Sequence, residues 1–173
     1  YHGKIALDFS VNVNPLGLPC GVQKTLRDSV EHWNCYPDPE CGELKKRLAE
    51  HHGIEQERIV CGNGAADLIY RLVLLKRPKQ ALLLSPTFSE YERALAIDGC
   101  QIRYYVLRAD QDYRVNVWEL AGHLAEGDWL FLCNPNNPTG LAVPGEQLEF
   151  LAEICQKKQG FLVVDECFCE FLD

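Results

Sequence analysis

Methionine is absent from the 173 residues, so the chain carries no initiator. We therefore expect that processing, cutting or incomplete coverage affects its start. No uninterrupted apolar run reaches the roughly 18 residues that a membrane-spanning helix needs, and no signal peptide opens the chain. These absences predict a protein without a membrane partner.

Positive charge is also scarce. Lysine and arginine total 17 against 25 aspartates and glutamates, which gives a net charge of -8. The basic pairs Lys45-Lys46, Lys76-Arg77 and Lys157-Lys158 each lie on a predicted helix or at a helix end, where solvated helix faces explain them. Because nucleic-acid phosphates would be repelled in the absence of a basic patch, we expect no nucleic-acid partner.

The nine cysteines are an odd number without a CxxC pair, which argues against a disulfide framework and against a paired zinc site. Several lie inside apolar runs, as Cys133 does in the run 129–133. Cys167-Phe168-Cys169 is the nearest approach to a metal motif, and because it lacks a partner pair we expect no metal. We interpret the cysteines as buried thiols in a reducing cytosol, which predicts a cytoplasmic protein.

The rest of the composition is that of a globular protein, with 47% hydrophobic and 24% charged residues. From about residue 58, short apolar strand patterns alternate with helical patterns. Strands are predicted at 58–61, 81–84, 102–106, 129–133 and 161–164. Helices are predicted at 65–76, 89–98, 117–125 and 145–158. This alternation predicts an α/β fold, a mostly parallel sheet with helices on both faces.

The first part of the chain has a different pattern. Residues 8–17 indicate an extended arm that ends in a turn, and an amphipathic helix follows at 19–33. Tyr36-Pro37-Asp38-Pro39 then breaks the chain before a second helix. We therefore divide the chain into an N-terminal arm and helix, residues 1–35, and a large domain, residues 36–173.

The first distinctive motif is a glycine-rich turn at the end of a predicted strand, where parallel sheets bind their ligands. Gly62-Asn63-Gly64-Ala65-Ala66 opens a helix whose first N–H groups form an anion site. A dinucleotide fingerprint would need a third glycine where Asp67 stands, and no P-loop lysine follows. A single phosphate fits this motif. The alternative is an ordinary glycine turn before a helix.

Two further motifs end later strands. The run Asn-Pro-Asn-Asn-Pro-Thr-Gly at 134–140 has a stiff backbone that aims the side chain of Asn137. Asp165 ends the apolar strand at 161–164, and a buried carboxylate there needs a cation or hydrogen-bond donors. An amide and a carboxylate in these places suit the ring hydroxyl and the ring nitrogen of pyridoxal phosphate. The alternative is a metal-binding acidic pair, Asp165-Glu166.

An aromatic residue follows another predicted strand. Tyr91 lies in the first turn or so of the helix after Pro86-Thr87-Phe88. At the sheet edge such a ring could stack on a flat cofactor. The alternative is a tyrosine that packs in the core at the start of the helix.

Together these motifs resemble the fold-type I pyridoxal-phosphate enzymes of the class I/II aminotransferase family. The resemblance covers essentially the whole chain, but only the N-terminal arm and the first part of the large domain of such an enzyme. Residues 8–17 and Tyr36-Pro37-Asp38-Pro39-Glu40 resemble the branch that contains histidinol-phosphate aminotransferase and threonine-phosphate decarboxylase. The resemblance implies pyridoxal 5'-phosphate as cofactor, a phosphorylated amino acid as substrate and a homodimer.

The resemblance also implies a role for each matching residue. Ala65 and Ala66 would donate backbone N–H groups to the cofactor phosphate, and Tyr91 would stack on the ring. Asn137 would bind the ring hydroxyl and face the substrate. Asp165 would pair with the ring nitrogen and favour its protonated form, which makes the ring a better electron sink.

Two residues nearer the N-terminus have implied roles as well. Tyr36 would reach the cofactor phosphate of a neighbouring subunit, and Asn12 in the arm would face the substrate. One departure bears on the reaction: Asp165-Glu166-Cys167-Phe168 has phenylalanine where histidinol-phosphate aminotransferases usually have tyrosine. The resemblance therefore favours decarboxylation of threonine phosphate in cobalamin biosynthesis.

The Schiff-base lysine of the family has no counterpart in the required context. The lysines lie in the arm, on helices or beside loops: Lys4, Lys24, Lys45, Lys46, Lys76, Lys79, Lys157 and Lys158. We therefore expect no turnover by this chain alone, and a lyase or aminotransferase as its full-length parent. Two alternatives stay open: a histidinol-phosphate aminotransferase or another class I/II aminotransferase, and a non-catalytic cofactor-binding module that lacks the lysine.

Overall fold

The structure is a computed structural model that describes residues 12–172. These residues form two compact units, the first ending at Ile59 and the second beginning at Val60. The part of the predicted arm before Asn12 lies outside the described residues. The predicted division of the chain at residue 35 stays a prediction.

The first unit contains two helices and two 3₁₀ turns. Helix α1 spans Cys20–Ser29 and continues as the 3₁₀ turn Val30–His32. Helix α2 spans Gly42–His52, and the second turn spans Gln56–Arg58. The helix predicted at 19–33 is therefore present, but its last turn is the tighter 3₁₀ form that is common at helix ends.

The start of α2 is fixed by one carboxylate. Asp38 accepts hydrogen bonds from the backbone N–H groups of Gly42 at 2.7 Å and of Glu40 at 3.0 Å. These donors hold the pKa of Asp38 below its usual value. A carboxylate of the proline-flanked break thus satisfies the free N–H group at the first residue of the following helix, whose N-cap residue is Cys41.

The second unit is the α/β part. Its four strands are β1 (Gln80–Ser85), β2 (Gln101–Val106), β3 (Trp129–Cys133) and β4 (Phe161–Asp165). They form one parallel sheet in the order β2-β1-β3-β4. Its helices are α3 (Ala65–Lys76), α4 (Glu90–Ile97), α5 (Val117–His123) and α6 (Gly145–Lys157).

Two separate cores cover the two faces of the sheet. Residues of α3 and α4 pack with Leu83 and Phe131 in one core. Residues of α5 and α6 pack with Leu82 and Leu130 in the other. Alternate residues of β1 and β3 thus enter opposite cores, as the pleat of a strand requires. The predicted class, a parallel sheet with helices on both faces, is confirmed.

One predicted strand is wrong. Residues 58–61 are apolar enough for a strand, but β1 to β4 are the strands of the described residues. Ile59 has extended dihedral angles, yet Val60 is 69% exposed. A strand is stabilised by backbone hydrogen bonds to a neighbour, and no partner strand lies beside this segment in the described part of the chain.

All nine cysteines lie within the described residues, and none of them forms a disulfide. Only Cys133 and Cys155 are buried, so the prediction of buried thiols holds for those two and is wrong for exposed ones such as Cys20. Burial raises the pKa of Cys155 to about 11, with a smaller effect from Asp128.

Among the described helices, none combines the length and the apolar character needed to cross a bilayer.

Candidate functional site

The strand order places a crevice at the carboxyl edge of the sheet. The chain leaves β1 toward β2 on one side, whereas β3 and β4 lie on the other side. Open parallel sheets bind ligands where the strand order reverses in this way, because the loops diverge there. The loops after β1, β3 and β4 border this crevice, which we call the edge site.

Asp165 is the last residue of β4 and is half-buried at the edge site. Its Oδ2 accepts a hydrogen bond from the hydroxyl of Tyr91 at 2.8 Å, and its Oδ1 accepts one from the backbone N–H of Cys167 at 3.1 Å. No cation of the described residues forms an ion pair with it. Neutral donors therefore orient the carboxylate, and its charge stays available to a cationic N–H group of a ligand.

Tyr91 lies in the first turn of α4, as predicted. Its ring is fully buried, 5.6 Å from the ring of Phe88 and 5.5 Å from that of Phe131. Burial raises the pKa of the Tyr91 hydroxyl far above its usual value, and Cys133 and Asp165 act in the same direction. The hydroxyl therefore stays protonated and donates to Asp165. The packing gives the hydroxyl an orienting role toward Asp165, and the predicted stacking of the ring on a cofactor stays a prediction.

We expect Tyr91→Phe to weaken cofactor binding about three- to tenfold, because Asp165 loses one of its two orienting donors and about 0.5–1.5 kcal/mol of hydrogen-bond energy. The measurement is the dissociation constant of pyridoxal phosphate for the full-length protein, together with the midpoint of urea unfolding.

Tyr105→Phe is the matched control for Tyr91→Phe. Tyr105 is also buried and donates to a carboxylate, Glu119, at 3.0 Å, but it lies in the other core of the sheet. Both variants should lose similar stability, and only Tyr91→Phe should weaken cofactor binding. Equal cofactor affinity in the two variants would contradict the orienting role of Tyr91.

The loop after β3 presents Asn137 and buries the two asparagines before it. Asn134 donates to the carbonyl of Val143 at 3.1 Å and accepts from the N–H of the same residue at 2.7 Å. Asn136 is 3% exposed and bonds to the loop after β1. The side chain of Asn137 is half-exposed and forms no hydrogen bond with another described residue. Its amide can therefore bind a ligand.

The start of α3 has the features of the predicted anion site. Gly64 has a φ of 87°, a left-handed conformation that a side chain would strain. Ala65 and Ala66 open the helix, so their N–H groups have no intrahelical acceptor. Ala65 packs against the same core as Tyr91, which places this helix start on the face of the sheet that carries Asp165 and its donor.

Asp67 adds a local charge to this turn. It accepts from the backbone N–H of Asn63 at 2.9 Å and pairs with Arg71 at 2.8 Å. These contacts hold the pKa of Asp67 below its usual value, with the Asn63 bond as the largest cause. The adjacent guanidinium offsets the carboxylate charge, which would otherwise oppose an anion at the helix start.

The lysines of the second unit lie at the opposite edge of the sheet. Lys76 ends α3 and Lys79 precedes β1, while Lys157 ends α6 and Lys158 follows it. Helix ends and strand starts share the amino edge in a parallel α/β unit. Lys158 also donates to the carbonyl of Leu124. These lysines therefore lie away from the edge site, and the absence of a Schiff-base lysine stays a prediction.

The two site residues predicted in the first unit, Asn12 and Tyr36, are both exposed. Their roles toward substrate and cofactor stay predictions. Within residues 12–172 the His, Cys, Asp and Glu side chains form no group of three or more that could hold a metal ion.

Comparison with known proteins identifies the family. A family model described as aminotransferase class I and II matches residues 4–173.

The chain belongs to this family. It is similar to a threonine-phosphate decarboxylase of Salmonella typhimurium, with 38% identity over 166 residues that make up 96% of this chain and 46% of the relative. A histidinol-phosphate aminotransferase of Caldanaerobacter subterraneus is 32% identical over 164 residues, which are 92% of this chain and 46% of that protein. The chain thus spans about half the length of these curated relatives.

A solved structure shows the same fold. The histidinol-phosphate aminotransferase of Sinorhizobium meliloti, determined in complex with pyridoxal 5'-phosphate, superposes with a TM-score of 0.81. The alignment covers 91% of this chain and 43% of that one, at 24% identity. Membership of the family implies pyridoxal phosphate as the cofactor of this aminotransferase-family chain.

The edge site fits that cofactor chemically. It offers an anionic carboxylate for a ring N–H, a free amide for a ring hydroxyl and free backbone N–H groups for a phosphate. Sequence reasoning missed Thr87 and Asn136, which join the loops after β1 and β3. The signal was present in the paired asparagines of the run 134–140, of which only one was assigned a role.

Proposed function

We propose that the protein containing this chain is a pyridoxal-phosphate enzyme that decarboxylates threonine phosphate in cobalamin biosynthesis. The observation that carries the cofactor assignment is the carboxylate of Asp165 at the end of β4, oriented by Tyr91 at 2.8 Å and not paired with a described cation. The similarity to a threonine-phosphate decarboxylase at 38% identity supports the substrate.

Each residue of the edge site has a separate task in this proposal. Pyridoxal phosphate supplies an electron sink for the charge that develops at the substrate Cα. Asp165 keeps the proton on the ring nitrogen, because a carboxylate favours a neighbouring cation. Asn137 donates its amide N–H to the ring hydroxyl and faces the substrate. The N–H groups of Ala65 and Ala66 bind the phosphate.

The choice between decarboxylation and transamination depends on which bond breaks at Cα, and the phenylalanine at position 168 bears on that choice. Phe168 is half-buried and its ring lies 6.5 Å from that of Phe171. Without a hydroxyl at this position, the ring oxygen lacks the additional donor that the aminotransferase branch would provide. This supports loss of the Cα carboxylate. Transamination of histidinol phosphate is the second candidate, favoured by the relative at 32% identity.

We also propose a homodimer in the cytoplasm. Tyr36 is fully exposed in the first unit, which suits a contact with the cofactor phosphate of a neighbouring subunit. Asn12 would face the substrate. All nine cysteines are free thiols, which agrees with a reducing compartment.

The test gives the full-length protein either O-phospho-threonine or histidinol phosphate in the presence of pyridoxal phosphate. We expect release of carbon dioxide from O-phospho-threonine without consumption of a keto acid. Amino transfer that depends on a keto acid would instead establish the second candidate. A protein that binds the cofactor and converts neither substrate would contradict both candidates and favour a cofactor-binding module.

The lysines need a separate measurement. Borohydride reduces the imine that pyridoxal phosphate forms with a lysine, and digestion then identifies the labelled residue. We expect no unique label within residues 1–173 of the full-length protein. Stoichiometric labelling of Lys76, Lys79, Lys157 or Lys158 would contradict their placement at the amino edge.

A further inference from the structure

The structure assigns a positioning role to Asn136 and Thr87, which together connect two loops of the edge site. We propose that this connection, which we call the loop clamp, aims the amide of Asn137 at the ring hydroxyl of the cofactor. The inference rests on the proposed function, since it concerns how this chain binds pyridoxal phosphate.

The loop clamp is a set of hydrogen bonds across the crevice. The hydroxyl of Thr87, in the loop after β1, donates to Oδ1 of Asn136 at 2.9 Å. Nδ2 of Asn136 donates to the carbonyl of Pro86 at 3.1 Å and to the hydroxyl of Thr139 at 3.0 Å. The buried amide of Asn136 thus uses both of its N–H donors and its oxygen acceptor. Two of these hydrogen bonds, those to Thr87 and Pro86, connect it to the loop after β1.

The backbone of Asn136 is fixed as well. Its N–H donates to the carbonyl of Leu141 at 2.8 Å, and its own carbonyl accepts from the N–H of Gly140 at 2.6 Å. With the side chain and backbone held in this way, Asn136 has little freedom at its 3% exposed position. Because Asn137 follows directly, the direction of its Cα–Cβ bond is set by the loop clamp.

The two buried asparagines, Asn134 and Asn136, hold the loop in place, whereas Asn137 is left to bind the ligand. The side chain of Asn134 bonds only to Val143 in the same loop, and therefore closes the loop on itself. Asn136 instead bonds to the loop after β1, across the site. A bond of this kind fixes the distance between two walls of a site, which is what the orientation of a ligand-binding amide requires.

The test replaces Thr87 by valine, which has a similar shape and no hydroxyl. We expect the dissociation constant of pyridoxal phosphate for the full-length protein to rise about three- to tenfold, the effect of one lost hydrogen bond. The affinity for 3-deoxypyridoxal phosphate, which lacks the ring hydroxyl, should not change, because Asn137 has no partner on that ring. Thr87→Ser restores the hydroxyl and should restore the affinity for the natural cofactor.

Tyr105→Phe is the control for a general loss of stability, since it removes a hydroxyl donor in the other core. It should leave both cofactor affinities unchanged. Equal weakening of both cofactors by Thr87→Val, or weakening of neither, would overturn the positioning role while the proposed function stands. A parent protein that does not prefer the cofactor with the hydroxyl would overturn it too. Failure of the parent to bind pyridoxal phosphate at all would instead refute the proposed function.

Discussion

Asp165→Asn should lower kcat/KM of the full-length protein by about 10²- to 10³-fold, since removal of one partner from a hydrogen-bonded charge pair costs about 2–5 kcal/mol. The amide still accepts a hydrogen bond from Tyr91, so the fold should persist. Under the proposed function, the variant lacks the negative charge that would keep a proton on the ring nitrogen, so the ring would accept charge from Cα less well.

A modified cofactor separates this effect from a general disturbance of the site. Pyridoxal phosphate methylated at the ring nitrogen carries a permanent positive charge and needs no carboxylate to retain it. We expect this analogue to raise the activity of Asp165→Asn and to lower that of the parent protein, whose carboxylate would face the methyl group. Failure of the analogue to improve the variant would contradict the assignment of Asp165 to the ring nitrogen.

The neighbouring carboxylate provides the matched control. Glu166 follows Asp165 directly, is exposed, and its side chain forms no hydrogen bond or ion pair with the described residues. Glu166→Gln removes the same charge one position later and should leave kcat/KM unchanged. A comparable loss in both variants would mean that overall charge at the sheet edge, rather than the position of Asp165, determines activity.

Gly160→Ala should be the most destabilising single-methyl change of the second unit, by about 3 kcal/mol or more. Gly160 lies just before β4, and an added Cβ would overlap the backbone carbonyl of Asp128. That carbonyl accepts the N–H of Phe161 at 3.0 Å, so the two chain segments cannot separate without loss of a bond at the start of β4. The change in urea-unfolding midpoint of the full-length protein measures the effect.

The side chain of Asp128 increases the expected loss. It is 1% exposed, forms an ion pair with Arg103 of β2 and accepts the N–H of Ala125 at 2.6 Å. A shift of this segment would leave a buried charge without its partners, which is among the most costly changes in a protein interior.

Gly122→Ala is the control for Gly160→Ala. Gly122 lies in α5, and a Cβ there would meet no atom within 4 Å. Alanine in a helix is favoured over glycine by about 0.5–1 kcal/mol, so this variant should gain stability. If Gly160→Ala were as stable as Gly122→Ala, the close approach of Gly160 to Asp128 would not exist in solution.

Local pattern was sufficient to predict most helices and strands of the second unit. Helix α3 and strand β3 have the predicted bounds, 65–76 and 129–133. Each has a continuous local signal: a glycine turn opens α3, and a fully buried strand requires an unbroken apolar run. The same reasoning was wrong at 58–61, because an apolar run becomes a strand only beside a partner.

The residues of the candidate site likewise fall into those that a local motif predicts and those that only a contact between distant residues reveals. Asn137, Asp165 and the start of α3 were predicted from motifs because each is defined by a few consecutive residues. The contact between the Tyr91 hydroxyl and the Asp165 carboxylate was not predicted, because the two residues are 74 positions apart in the chain. The loop clamp was not predicted either, because its residues Thr87 and Asn136 are 49 positions apart in the chain.

The amino-acid sequence by itself therefore determined the class of fold and the residues that end each strand, and it predicted the cofactor chemistry. The tertiary structure alone decided which of these ends meet, which carboxylate the Tyr91 hydroxyl contacts and which asparagine anchors the loop. The physical reason is that helix and strand signals act over a few neighbouring residues. The contacts between loops depend instead on the strand order β2-β1-β3-β4, which arises from pairing between distant segments.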